Sequence, residues 1–228
     1  MSTRNTRYYK VKESTFFSPC GKEDQDETVK DGREYRHWKR AGEEGKTLGY
    51  IEKSLKGFVE YMRLHDDKHS GKELMIGLQT SEGVDVLKIP QNNPKWGGLH
   101  DHVKTLALSW DTIDLEFPVE FSLFTKKKAS GYDAVYLNIH QAGRPVWPNY
   151  KRLDGIQRFE GVPDTVVSTS YDGTKEYDNK ERDKFLFERL GDLIKRVQER
   201  DHKSEREPTP AEAAKAAGNA EEEDDFDF

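Results

Sequence analysis

Residues 74–89 read LMIGLQTSEGVDVLKI. Leu74, Ile76 and Leu78 alternate with Met75, Gly77 and Gln79, which puts the first set on one face of an extended strand. Ser81, Glu82 and Gly83 form a turn signal, and Val84–Ile89 continues as a second strand, so the stretch predicts a β-hairpin. On its N-terminal side, residues 47–62 carry Leu48, Tyr50, Ile51, Leu55, Phe58, Tyr61 and Met62 around Gly49 and Gly57, the pattern of one long strand bent at glycine. On its C-terminal side, Pro94–Gly98 breaks the chain, and Leu99, Val103 and Leu106 recur at helical spacing. Phe117, Val119, Phe121 and Leu123 then line one face of a strand over 117–126, and Val135, Leu137 and Ile139 do so over 132–141.

Three strands, a helix and two strands is the order of the OB-fold, a five-stranded Greek-key barrel. The expected class is mainly β with α additions, centred on an OB-like barrel at 47–147. Residues 1–46 are expected to be an N-terminal extension with a basic aromatic segment, and 148–200 a wrapping segment plus a helix. That helix, over 181–200, is amphipathic, with Leu186, Leu190, Leu193, Ile194 and Val197 in one stripe. The stripe suits packing on the chain's own barrel or, alternatively, self-association into a homo-oligomer. From 201 to 228 all periodicity is lost, which predicts a disordered linker ending in an acidic tail.

The net charge of −6 at first argues against a nucleic-acid partner. Six acids fall in residues 221–228 (EEEDDFDF), and without them the body holds 37 basic and 37 acidic residues. Within that body, residues 121–152 carry Lys126, Lys127, Lys128, Arg144, Lys151 and Arg152 against Asp133 alone. Residues 33–40 (REYRHWKR) are also basic. A neutral body with basic stretches accommodates a positive groove.

One cysteine, Cys20, suits a reducing compartment, and no apolar run approaches the roughly 20 residues of a membrane span. A soluble cytoplasmic protein without a membrane partner is expected. No P-loop, GxGxxG or nucleophile elbow occurs, and Cys20 has no histidine nearby. His65 with His69, and His100 with His102, lack a second cluster at metal-ligand spacing. No enzyme activity, cofactor or metal is therefore expected.

Single-strand binding needs cations for phosphates and flat rings for unpaired bases. Period two turns Tyr132, Tyr136 and His140 away from the core set of their strand, and Phe124 falls out of phase beside Lys126, Lys127 and Lys128. Tyr35, Arg36, Trp38, Lys39 and Arg40 interleave rings and charges in the same way; Trp38 fits equally well as a ring packed on the barrel. Phe58, Tyr61 and Arg63, and further along Arg144 and Trp147, complete the candidate set, with Trp147 also readable as a buried ring.

The acidic tail holds Phe226 and Phe228 among its carboxylates, a pattern suited to a hydrophobic hole rimmed by Lys and Arg. DDFDF, after a linker containing Pro and Ala and an OB-ordered body, resembles the single-stranded-DNA-binding proteins of bacteriophages and, more distantly, of bacteria. The resemblance implies coating of single-stranded DNA with little sequence preference in replication, recombination or repair, in a host bacterial cytoplasm. It also implies that Asp224, Asp225, Phe226, Asp227 and Phe228 bind polymerases, helicases, primases, nucleases or recombination factors, and compete for the DNA groove. The regions before Thr47 and after Trp147 lie outside a minimal barrel. Two other readings stand beside this one: a protein-interaction adaptor without DNA binding, and a metal-dependent nuclease.

Overall fold

The computed structural model describes residues 5–20, 29–30, 33–39, 46–68, 71–93, 97–128, 131, 133–153 and 158–204. Five strands come first: β1 (Thr6–Lys12), β2 (Thr15–Pro19), β3 (Val29–Lys30), β4 (Arg33–Lys39) and β5 (Lys46–Glu52). Then follow β6 (Ser54–Asp67), β7 (Gly71–Thr80), β8 (Gly83–Pro90), α1 (Asp101–Leu108), β9 (Val119–Lys127) and β10 (Asp133–Gln141). Short strands β11 (Arg144–Pro145), β12 (Arg152–Leu153), β13 (Arg158–Phe159), β14 (Val166–Thr169) and β15 (Lys175–Asp178) precede α2 (Lys180–Ser204). Among the described residues the protein is mainly β with two helices, neither long and apolar enough to cross a membrane.

The described strands form one eleven-stranded sheet, ordered β11-β10-β9-β6-β7-β8-β1-β2-β5-β4-β3, and two separate hairpins, β12-β13 and β14-β15. The expected hairpin at 74–89 is β7–β8, with Leu78 opposite Asp85 and Thr80 opposite Gly83. β6 pairs antiparallel with both β7 and β9, and β9 with β10. The closed five-stranded barrel expected from the strand order does not form. A strand edge is satisfied once, and β8 spends its outer edge on β1, in parallel register from Thr6 opposite Val84 to Lys10 opposite Lys88. β8 and β10 therefore do not pair with each other, and the sheet runs on through β1 and β2 to β5, β4 and β3.

Three local expectations also change. The single strand expected over 47–62 is two, broken at Lys53: β5 joins β2 and β4, while β6 starts afresh at Ser54. The irregularity in β6 lies between Val59 and Tyr61 rather than at a glycine, because the extra residue Glu60 is absorbed there as a bulge. Phe117 does not join the strand after it; the turn held by Gln141, whose amide donates to the carbonyls of Asp114 and Phe117, leaves its ring 54% exposed.

The inner face of the sheet buries one core. Tyr9 and Phe16 from β1 and β2 join Leu74, Ile76 and Leu78 from β7 and Leu137 and Ile139 from β10. Strands five places apart in the order thus share a core, so the sheet curls around it. α2 closes that core with Leu186, Leu190, Leu193 and Val197, each fully buried, as its stripe required. Arg196 donates to the carbonyls of Trp110 and Ile113, and Arg200 to those of Leu115 and Val59, which ties α2 to the segment after α1 and to β6.

Candidate nucleic-acid interface

Alternation in β9 sends Val119 and Phe121 into the core and leaves Phe124 41% exposed. In β10 the same rule buries Leu137 and Ile139 and turns Tyr136 outward. Phe124 and Tyr136 are direct cross-strand partners, and their rings stack at 5.2 Å between centroids and 23° between planes. Lys126 shares the outer side with Phe124, and Lys126, Lys127 and Lys128 are all exposed at the end of this hairpin. His140, half-buried, is level with Glu120 at the opposite end of the ladder.

A second aromatic strip crosses four strands of the same outer face. Tyr61 is opposite Gly77, Gly77 opposite Val86, and Val86 opposite Tyr8. The adjacent level reads Arg63, Met75, Lys88 and Lys10. A Cβ on Gly77 would stand 2.3 Å from the Tyr61 ring, so the missing side chain is what lets that ring lie against the sheet. The Arg63 guanidinium sits 5.3 Å from the centre of the Tyr61 ring, and the Lys88 ammonium 5.4 Å from that of Tyr8. Burial pushes the Tyr61 phenol above its ordinary value, with Arg63 opposing the shift, and the hydroxyl stays protonated near neutral pH. Phe58 and Tyr8 are both 47% exposed. Under the ring of Tyr61, Met75, Val84 and Val86 form a small cluster of their own on this side of the sheet.

The register through Gly57 opposite Val119 separates the two strips. With Glu60 in the bulge, Phe124 and Tyr61 lie eight ladder levels apart, roughly 26 Å along the sheet at about 3.3 Å per residue.

The remaining expected residues are scattered. Tyr35 turns inward, its ring edge-on to Tyr50 at 5.6 Å and 82°, while Tyr50 leans on Tyr9 of the core. Arg36 is exposed and holds Glu34 at 2.5 Å. Trp38 and Lys39 are placed as part of β4. Arg144 and Trp147 stand exposed beyond β10, and Trp147, which also read as a buried ring, is 72% exposed with its carbonyl accepting from the Thr112 hydroxyl at 2.6 Å. Arg40, Tyr132, and the tail residues Asp224, Asp225, Phe226, Asp227 and Phe228 lie outside the described residues.

Comparison of the chain with protein-family models, curated proteins and solved structures finds no match. The site therefore stands on its own geometry.

Sequence reasoning missed Tyr8, Lys10 and Lys88. The signal was present in TRYYKVK at 6–12, where Arg7, Tyr9 and Val11 alternate with Tyr8, Lys10 and Lys12. What the pattern did not carry was the strand that β1 would join.

A cleft of about 1040 Å³ occupies the seam between Val11 of β1 and Val135 of β10, flanked by Leu99, His100, Lys104 and Asp183. The His100 ring accepts the first-turn N–H of His102 at 3.3 Å and so caps α1. His102 is buried, neither ring nitrogen has a hydrogen-bond partner among the described residues, and burial, aided by His100, lowers it to about 3. The ring is neutral under ordinary conditions. No three His, Cys, Asp or Glu side chains among the described residues come together as metal ligands.

Proposed function

We propose that the protein binds single-stranded DNA without catalysis and with little sequence preference. The observation that carries this reading is the outward Phe124–Tyr136 stack beside Lys126, on a hairpin that ends in three exposed lysines. Unpaired bases stack on such rings at about 1–3 kcal/mol each, while lysines neutralise the phosphates. Aromatic rings do not remain on a solvated strand face for core packing, since the core of β9–β10 is filled from the other side.

The β6–β10 pairings add support. β6–β7, β7–β8, β6–β9 and β9–β10 are the antiparallel contacts of an OB-like arrangement, with β1 in the place where closure would occur. OB-folds bind oligonucleotides on the face of their second and third strands and on neighbouring loops. Here those strands are β7 and β8, which form the middle of the second strip between Tyr61 of β6 and Tyr8 of β1, and the β9–β10 loop follows Lys127. On this reading the protein acts in replication, recombination or repair in the cytoplasm of a bacterial host. Its acidic residues 221–228 recruit a polymerase, helicase, primase or nuclease.

An adaptor role is the second reading, and the β14–β15 hairpin favours it. Val166, Val167, Tyr171 and Tyr177 are all exposed there, although a lone two-stranded hairpin is marginal in water.

The test is fluorescence anisotropy of labelled oligo-dT against matched duplex, titrated with the full chain at two salt concentrations. Tight, salt-weakened binding to the single strand and much weaker duplex binding is the expected result. Equal or absent binding to both overturns the proposal and leaves the adaptor.

A further inference from the structure

The second aromatic strip contains a charge that does not belong on a phosphate-binding surface. Glu73 of β7 is on the same side as Met75 and Gly77, in the middle of the sheet, and is only 2% exposed. A buried carboxylate is costly unless paired. Its partners are two lysines of that face: Lys88 of β8 at 3.5 Å and Lys10 of β1 at 3.7 Å. Both distances exceed those of a charge-assisted hydrogen bond, about 2.7–2.9 Å. Oε2 of Glu73 makes no hydrogen bond among the described residues. The carboxylate is therefore fixed and enclosed, while both ammonium partners are loosely held, the Lys10 side chain 50% exposed and that of Lys88 18%.

We propose that Glu73 is a built-in counter-ion of the DNA face: it holds Lys10 and Lys88 while the face is empty and gives them up to backbone phosphates when a strand binds. This rests on the single-strand reading of the face. Lys88 lies over the Tyr8 ring, so a base stacked on Tyr8 brings its phosphate to the same ammonium. The exchange carries a cost, because the lysines must leave a buried carboxylate that cannot follow them to the phosphates. Glu73 thereby lowers affinity and favours ligands that also stack over those that offer phosphate alone.

The experiment is anisotropy with labelled oligo-dT at low salt on four forms of the full chain: wild type, Glu73→Gln, Lys10→Met with Lys88→Met, and the triple variant. Removing the fixed charge is expected to tighten binding by about three- to tenfold, the scale of one loose ion pair given up at a partly screened surface. That gain should vanish when both lysines are already gone. Wild type that binds while Glu73→Gln binds equally or more weakly overturns the counter-ion role and leaves the DNA reading intact. Wild type that does not bind removes both. Should Glu73→Gln fail to fold, the Glu73 carboxyl carbon resonance of labelled wild-type protein decides: it is expected to move when oligo-dT is added, and an unchanged resonance at saturation overturns the proposal.

Discussion

The Arg7 guanidinium donates to both carboxylate oxygens of Asp85, at 2.6 and 3.1 Å, and fastens the N-terminal strand to the middle of the sheet. The two side chains are 10% and 8% exposed, and Arg7 also reaches Glu82 at 2.6 Å. Desolvation opposes the charge, but the hydrogen bonds to Asp85 and Glu82 outweigh it and raise Arg7 above its already high value, so the guanidinium stays charged.

Arg7→Gln strands a buried carboxylate. About 3–5 kcal/mol of stability should be lost, read as a lower urea midpoint, because one partner of a buried pair has been removed. Asp85→Asn in the Arg7→Gln background should recover part of that loss. A single variant within about 0.5 kcal/mol of wild type would show that β1 is held by its backbone ladder alone.

Phe124→Ala and Tyr136→Ala remove the stacked pair from the outer face. Each is expected to weaken oligo-dT binding by roughly 1–3 kcal/mol, with a nearly unchanged unfolding midpoint, since neither ring is in the core. Lys126→Met should instead flatten the dependence of log affinity on log salt by about 0.7. Identical salt slopes for the two kinds of variant would mean that the rings and the lysine do not act on a strand as assigned.

Gly77→Ala places a methyl 2.3 Å from the Tyr61 ring. The ring must lift off β7, carrying Arg63 with it. Weaker oligo-dT binding and a stability loss of about 1–3 kcal/mol, typical of overpacking, are expected. Tyr61→Ala in the same chain should relieve the stability loss without restoring binding. Unaltered binding by Gly77→Ala would remove Tyr61 from the interface.

His102 gives a pH dependence whose sign is fixed. Its folded value, about 3, lies below the ordinary 6.5, so the unfolded chain takes up a proton first as pH falls. Its contribution is complete above pH 6.5 and declines by about 1.4 kcal/mol per pH unit below it, until the folded value is reached. Urea midpoints of wild type and His102→Leu, compared between pH 7 and pH 4.5, should show the steeper decline in wild type. Parallel declines would place the ring in contact with water or with a partner for its proton.

Much of the fold could be read from period alone. The 74–89 hairpin, the helix near 99–106, the β9–β10 pair and the stripe of α2 all follow from local alternation, and so did the outward turn of Phe124 and Tyr136. What stayed hidden depends on pairing partners far away in sequence. Residues 6–12 show which side chains share a face, but no residue in TRYYKVK says that β8 is its neighbour, or that the ladder is parallel. The break at Lys53 was masked because Tyr50, Ile51 and Leu55 are apolar on both sides of it. Trp147 is apolar by composition yet exposed, a placement set by the turn at Thr112 rather than by hydropathy.

The parallel union of β1 with β8 also sets an order of events during synthesis. Arg7 and Asp85 are separated by 78 residues, so β1 can pair with β2 on one edge at once, while its other edge waits until β8 has followed it. At about 5–20 residues per second that wait is roughly 4–16 s. Through that interval the β8-facing edge of β1, with Tyr8 and Tyr9, stays unpaired, the kind of segment that chaperones engage. The strip containing Tyr8 and Lys10 is therefore completed late, after β6, β7 and β8 have a surface on which to receive it.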